Sequence, residues 1–298
     1  MSTTSTWQRY KGDGTLPPGA EIPKGAERGR YLADTELVTA VNTALAVEQP
    51  LLVTGQSGTG KTRLAWSVAS ELGLGNVLEF HTRSDHQAQD VLFSFDNLRR
   101  FYHATTNNPL AEDPRNYITY EPLGQAIKWT GDKPRLVLID EIDKAPRDFP
   151  NDLLDEIDRM TFTVPETNDQ FTAKVRPVVV ITSNSERQLP DPFLRRCVFH
   201  EILFPPAQRL QEILQERLGH LNVSSALGAA ATKRFLELRD LPDLEKQPAT
   251  GELIVWVKVL HQAGVDPAAL ESIALSQVPF QGAVIKTRHD RQVVAKAS

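Results

Sequence analysis

Short, mainly apolar runs alternate along this chain with longer stretches in which apolar residues return every three or four positions. Leu51-Leu52-Val53 is the first short run and stops at Gly55; residues 77–80, 135–139, 177–182 and 198–203 supply four more. Four of these five predict strands covered on both faces, the pattern of a parallel sheet between layers of helix. Leu37, Val38, Val41, Ala44 and Leu45 recur at helical spacing ahead of the first strand, and an amphipathic stretch over 61–72 begins directly after a glycine-rich loop. Strand, loop and helix therefore follow one another at residues 51–72.

Between the second and third strands, Val91, Leu92, Phe95, Leu98, Phe101 and Tyr102 predict a core-facing helix over 90–103, followed by a polar loop rich in Asn and Pro. Residues 162–164 and 171–175 predict a hairpin ahead of the fourth strand. Pro205-Pro206 marks a boundary. Beyond it, stripes of Leu210, Ile213, Leu214 and Leu218, of Phe235 and Leu238, and of Leu253, Val257 and Leu260 predict a small all-helical domain with Trp256 in its core. Phe193, Phe199 and Phe204 are expected in core or domain-interface packing. The organisation expected is a flexible N-terminal arm over 1–29, an α/β core over 30–205 and a helical domain over 206–298.

Composition narrows the picture. The 298 residues carry 33 Lys and Arg against 38 Asp and Glu, a net charge of -5, so no overall field draws the chain to nucleic acid or an anionic membrane. Cys197 is the single cysteine, which removes an intrachain disulfide; its expected role is that of a small buried hydrophobe. No stretch reaches the roughly 18 consecutive apolar residues of a membrane-spanning helix, and the Ser-, Thr-, Gly- and Pro-rich N-terminus lacks the apolar core of a signal peptide. A cytoplasmic location is expected. His81, His86 and His103 have no metal-ligand spacing.

Gly55-Gln56-Ser57-Gly58-Thr59-Gly60-Lys61-Thr62 has the spacing of a phosphate-cradling loop and lies between a predicted strand and a predicted helix, as that chemistry requires. Glycines let the backbone curl until successive N–H groups face phosphate oxygens, and the helix N-terminus adds favourable partial charge. Lys61 is placed to bridge β and γ oxygens of ATP, and the Thr62 hydroxyl to ligate Mg²⁺. The third strand ends in Asp140-Glu141, at the edge where ligands sit in open α/β sheets. Asp140 is assigned to Mg²⁺ and Glu141 to polarising the attacking water, although an acidic pair at a strand end is, alone, an ordinary solvated turn. Asn184, closing the fourth strand, is placed to orient that water, or is simply a turn former. Arg195 and Arg196 precede the fifth strand; one of them is a candidate to stabilise γ-phosphate charge, with a solvated pair of surface arginines as the alternative.

From about Tyr31 onward, this string of motifs resembles the AAA+ ATPases and, among them, the MoxR-like group. Tyr31-Leu32-Ala33-Asp34 resembles the segment that closes over adenine, residues 55–62 the Walker A loop, residues 136–141 the Walker B strand, and Asn184 the sensor 1 position. Arg196 stands where the MoxR-like pattern has its arginine finger, with Arg195 its neighbour. The resemblance implies a parallel α/β fold with a helical lid, ATP and Mg²⁺ as cofactors, and a ring, usually a hexamer, in which the finger reaches the adjacent nucleotide. The hairpin resembles the pre-sensor 1 insertion, and residues 90–102 lie where the helix 2 insertion falls. One departure stands out: Gly251 occupies the place of the sensor 2 arginine found in many AAA+ proteins.

The function so implied is chaperone-like remodelling beside a protein with a von Willebrand factor A domain. Two rivals remain: a nucleotide-gated assembly switch with little turnover, and an ATP-driven nucleic-acid motor, against which the acidic balance and the lack of a nucleic-acid module argue. A small-molecule kinase fits less well, because Asp140-Glu141 with Asn184 and Arg196 suits an activated water better than a bound acceptor.

Overall fold

The computed structural model describes residues 9–18 and 30–297, which divide into two compact units. The first comprises the described residues before position 27, Tyr31–Gly55 and Lys61–Ile202; the second comprises Arg30, Gln56–Gly60 and the residues from Leu203 onward.

In the first unit, α1 (Thr35–Val47) starts where the Asp34 carboxylate accepts the Leu37 N–H at 2.8 Å, and it leads into β1 (Leu51–Thr54). Next come α2 (Lys61–Leu72), β2 (Leu78–His81), β3 (Phe93–Phe95), α3 (Asn97–Thr105), β4 (Ile118–Tyr120) and α4 (Pro122–Ile127). Then follow β5 (Leu136–Asp140), α5 (Phe149–Asp152), α6 (Leu154–Arg159), β6 (Thr161–Val164), β7 (Asp169–Thr172), β8 (Val178–Ser183), α7 (Asp191–Leu194) and β9 (Val198–Glu201). Five strands form one parallel sheet in the order β2-β5-β8-β1-β9.

Side-chain alternation sends Leu52, Val137, Ile139, Val179 and Ile181 into one apolar cluster, and Leu51, Val53, Leu136, Leu138 and Val180 into another. Both faces of the central strands are thus covered, as their uninterrupted apolar runs predict, and each buried Leu or Val contributes about 1.5–3 kcal/mol. The expected hairpin is β6 paired antiparallel with β7, with Phe162 opposite Phe171.

The single helix expected over 90–103 is not formed. Residues 88–91 make a short 3₁₀ turn, β3 pairs antiparallel with β4, and only then does Asp96 cap α3 by accepting the Arg99 N–H at 2.8 Å. Val91, Leu92 and Phe93 enter the core, whereas Leu98, Phe101 and Tyr102 on α3 are 81%, 68% and 63% exposed. A three- and four-residue spacing carried across the Asp96 cap joined two segments with different periods. The core-side segment is tightly seated: a Cβ on Gly124 would come within 1.9 Å of the Leu92 carbonyl oxygen. Phe199 also departs from expectation, since β9 lies at the sheet edge with alternating exposure and turns this ring outward.

Part of the arm expected to be flexible is anchored. Tyr10 is fully buried, its hydroxyl 2.9 Å from Ser67 Oγ. Asn42 Oδ1 accepts the Arg9 and Tyr10 N–H groups, while its Nδ2 donates to the Tyr10 and Val38 carbonyls, so this buried amide is fully satisfied. Glu71 accepts the backbone N–H groups of Lys11, Gly12 and Gly14 at 2.8–3.0 Å. The remainder of the arm, 1–8 and 19–29, lies outside the described residues. Glu71→Ala strands these donors, that of Gly12 buried and the other two partly so, and is expected to destabilise the first unit by about 2–3 kcal/mol, read from the urea unfolding midpoint; an unchanged midpoint would show that the strap adds nothing.

The second unit is built from α8 (Ala207–Leu218), α9 (Ser225–Arg239), α10 (Thr250–Gln262), α11 (Pro267–Ser272) and α12 (Arg288–Lys296). The three apolar stripes meet as expected: Leu210, Leu214, Leu218, Phe235, Leu238, Leu253, Val257 and Leu260 surround a fully buried Trp256, whose indole N–H donates to the Pro279 carbonyl at 2.8 Å. Phe204 stacks on Phe235 at this core. Arg239 lies over the Phe204 ring and donates to the Pro248 carbonyl and to Gln56 Oε1. Gly251 sits on the exposed first turn of α10 with nothing within 4 Å of a built Cβ.

Candidate functional site

Gly55, Gly58 and Gly60 adopt φ of 140°, 78° and 96°, so the loop between β1 and α2 curls through conformations that side chains with a Cβ rarely adopt. Ser57 and Thr59 fill the turn between them, and Thr59 donates both its N–H and its hydroxyl to the Gln56 carbonyl. Lys61 opens α2 with its ammonium 2.8 Å from the Gly55 carbonyl. Burial pushes that ammonium below its usual pKa, against the opposing pull of Asp140, Asp143 and Glu141.

Asp140 closes the buried strand β5. Its Oδ1 accepts from the Thr62 hydroxyl at 3.1 Å and from the Thr182 hydroxyl at 2.6 Å, and its Oδ2 lies 3.4 Å from His81 Nδ1. Parallel pairing of β5 with β2 and β8, and of β8 with β1, whose loop leads into α2, is what brings these chain segments to one sheet edge. The hydroxyl and carboxylate of Thr62 and Asp140 form an all-oxygen donor pair suited to a hard divalent cation.

Glu141 takes the left-handed conformation, φ 57° and ψ 50°, which ends the strand and turns its side chain away from that of Asp140. Its N–H donates to Thr182 Oγ1 at 2.9 Å; Oε1 accepts from Asn184 Nδ2 at 2.9 Å, and Oε2 pairs with Lys144. Lys144 foremost, with Asn184, holds the Glu141 carboxyl below the usual carboxylate range, so it stays ionised at neutral pH. A carboxylate fixed this way, beside a lysine at the end of a phosphate-type loop, is arranged to take a proton from water.

Lys61, Thr62, Asp140, Glu141 and Asn184 are thus joined in one network within the first unit. Thr182, Asp143 and Lys144 belong to it as well and were not singled out from the sequence. Asp143 is buried and accepts the Asn184 and Glu186 N–H groups at 3.0–3.2 Å, which fixes the turn carrying Asn184. The available signal was a hydroxyl within the otherwise apolar fourth strand and a second acid two residues after Glu141.

The other candidates lie apart from this network. Arg196 pairs through Nε with Asp158 Oδ2 at 2.6 Å and donates to the Pro192 carbonyl, while Arg195 is exposed. Tyr31 packs against the apolar cluster that contains Tyr10 and Leu37, and the neighbouring Leu32 is half-buried. Cys197 is half-buried against the core, and burial pushes its thiol up to about 12. His86 accepts the Arg83 N–H and His103 bonds the Tyr117 hydroxyl; no group of residues suited to a metal cluster occurs among the described residues. No helix among the described residues is long and apolar enough to cross a membrane.

Lys61→Ala removes the ammonium proposed to make charge-assisted contacts to phosphate, each worth about 1.5–3 kcal/mol. Nucleotide titration is expected to show affinity weakened by at least tenfold; wild-type affinity would sink the assignment of Lys61.

Residues 50–197 match the family model described as an AAA domain of the dynein-related subfamily. Among proteins of known structure, a proline-to-glycine mutant of Thermotoga maritima RuvB is similar at 16% identity, covering 80% of this chain and 70% of that one with a TM-score of 0.43. No curated protein matches the chain. The phosphate loop, the acidic strand end and the Asn184 turn all fall inside the matched residues, and over residues 50–197 the chain is similar to an AAA domain of the dynein-related subfamily.

Proposed function

We propose that the protein binds and hydrolyses ATP with Mg²⁺ and uses the energy for chaperone-like remodelling of a partner protein complex, in the manner of the MoxR-like group. The observation that carries the hydrolytic part is the Glu141–Asn184 pair beside Lys61, Thr62 and Asp140. In this reading the backbone of residues 55–60 cradles the phosphates, Lys61 binds β and γ oxygens, and Thr62 with Asp140 holds Mg²⁺, which when bound neutralises charge on those oxygens. Asn184 orients a water in line with the γ-phosphorus, and Glu141 takes its proton as the new P–O bond forms and the bond to the β-phosphate oxygen breaks, leaving ADP and phosphate. Tyr31 and Leu32 lie against adenine.

Arg196 is assigned as a finger directed at the nucleotide of an adjacent copy, so the working form is a ring, expected to be a hexamer in the cytoplasm. The partner expected from the resemblance is a protein with a von Willebrand factor A domain. A nucleotide-gated assembly switch is the second reading, favoured by Gly251, which offers no cation at the start of α10.

Steady-state ATPase activity measured against protein concentration, with oligomer size read by light scattering in the same samples, tests the proposal. Specific activity that rises with assembly supports it; activity that is absent, or indifferent to assembly, favours the switch.

A further inference from the structure

We infer that Lys144 is a positioning residue for Glu141, holding the carboxylate oriented toward water rather than merely decorating the surface. This rests on the reading of Glu141 as the hydrolytic base. The left-handed backbone at Glu141 starts a three-residue turn, Ile142–Lys144, in which the Lys144 N–H donates to the Glu141 carbonyl at 3.0 Å. Ile142, which opens this turn, and Ala145, which follows it, are buried in the main apolar cluster, so the backbone beneath both charged side chains is fixed. The turn brings the Lys144 ammonium back onto Glu141 Oε2, while Asn184, from the end of another strand, holds Oε1.

The carboxylate is therefore gripped from two sides, by the turn that carries it and by β8. Such a grip matters because Glu141 is 37% exposed at its side chain and has three rotatable bonds; packing alone does not select one orientation. Each oxygen keeps a second lone pair, so the grip leaves Glu141 able to accept a proton from water. A base misplaced by about 1 Å loses on the order of a hundredfold in rate, so a partial loosening of one of two anchors is expected to cost roughly tenfold. Exposed ion pairs add little to stability, so the fold should not register the loss.

The test uses the full chain with Lys144→Ala, Lys144→Gln, Lys144→Arg, Glu141→Gln and the Glu141→Gln/Lys144→Ala double variant. Expected for Lys144→Ala and Lys144→Gln is a kcat roughly tenfold lower with KM for ATP and thermal midpoint unchanged, and for Lys144→Arg recovery of most of the rate. In the Glu141→Gln background, Lys144→Ala should change neither the residual rate nor the affinity for a fluorescent ATP analogue, because its effect passes through the carboxylate. The inference is overturned if Lys144→Ala turns over as fast as wild type or faster, if KM rather than kcat moves, or if the two substitutions add. If wild type itself does not hydrolyse ATP, or Glu141→Gln hydrolyses normally, it is the assignment of the base that fails, and the inference goes with it.

Discussion

Glu141→Gln is expected to bind ATP as wild type does and to turn it over roughly 10²- to 10⁴-fold more slowly, the range supplied by a positioned general base. The amide keeps the size and shape of the carboxylate and can still meet Asn184, but it cannot accept a proton and it loses the charge that draws in Lys144. Lys61, Thr62 and Asp140, which carry the contacts proposed for phosphate and Mg²⁺, are untouched. The expected result is therefore a stable ATP complex, visible as nucleotide that stays intact and protein-bound after single-turnover incubation. An unchanged turnover rate would remove Glu141 from the mechanism and leave only the coarser conclusion of a nucleotide-binding AAA domain.

Arg196→Ala is expected to lower hydrolysis by a factor on the order of 10³ where an arginine stabilises charge on the transferring phosphoryl group. ATP affinity measured on the dilute, unassembled protein should not change, because Arg196 makes no contact with the Lys61–Asp140–Glu141 network of its own chain; its Nε is held by Asp158 at 2.6 Å. Mixing tests whether the arginine works across copies: Arg196→Ala retains an intact Glu141 and Glu141→Gln retains an intact Arg196, so blending the two should restore turnover that neither shows alone. Arg195→Ala serves as the neighbouring control, with a smaller effect expected. Failure to complement, with both variants assembled by light scattering, would place Arg196 outside the reaction.

The parts of the fold legible in the sequence were those in which one local rule operates alone. The strands at 51–54 and 136–140 are apolar up to their last residues, Thr54 and Asp140, because both faces are covered, and no amphipathic alternative competes with that pattern. The helix at 61–72 begins at the residue after the last glycine of the loop, since chain curvature and helix start are the same feature. Residues 90–103 were misread because a spacing of three and four ran through Asp96, where a capping carboxylate ends one element and starts another. Phe199 was misplaced for a related reason: a strand run shows hydrophobicity but not whether the strand lies at the edge of its sheet.

By itself, the sequence determined the local placement of the residues proposed to carry the chemistry: the glycine spacing of residues 55–60, Lys61 and Thr62 at a helix start, and Asp140-Glu141 at a strand end. These follow from backbone geometry within a few residues, so spacing is enough to read them. Only the tertiary structure decided how Glu141 is held, because its partners arrive from β8 and from the turn after β5, and strand order in a sheet is not written into any one strand. It likewise anchored residues 9–14, whose polar composition reads as a loose arm until Asn42 and Glu71 are found beneath their backbone N–H groups. Long-range hydrogen bonds to main chain leave no periodic trace in the sequence that supplies them; folding alone brings them together.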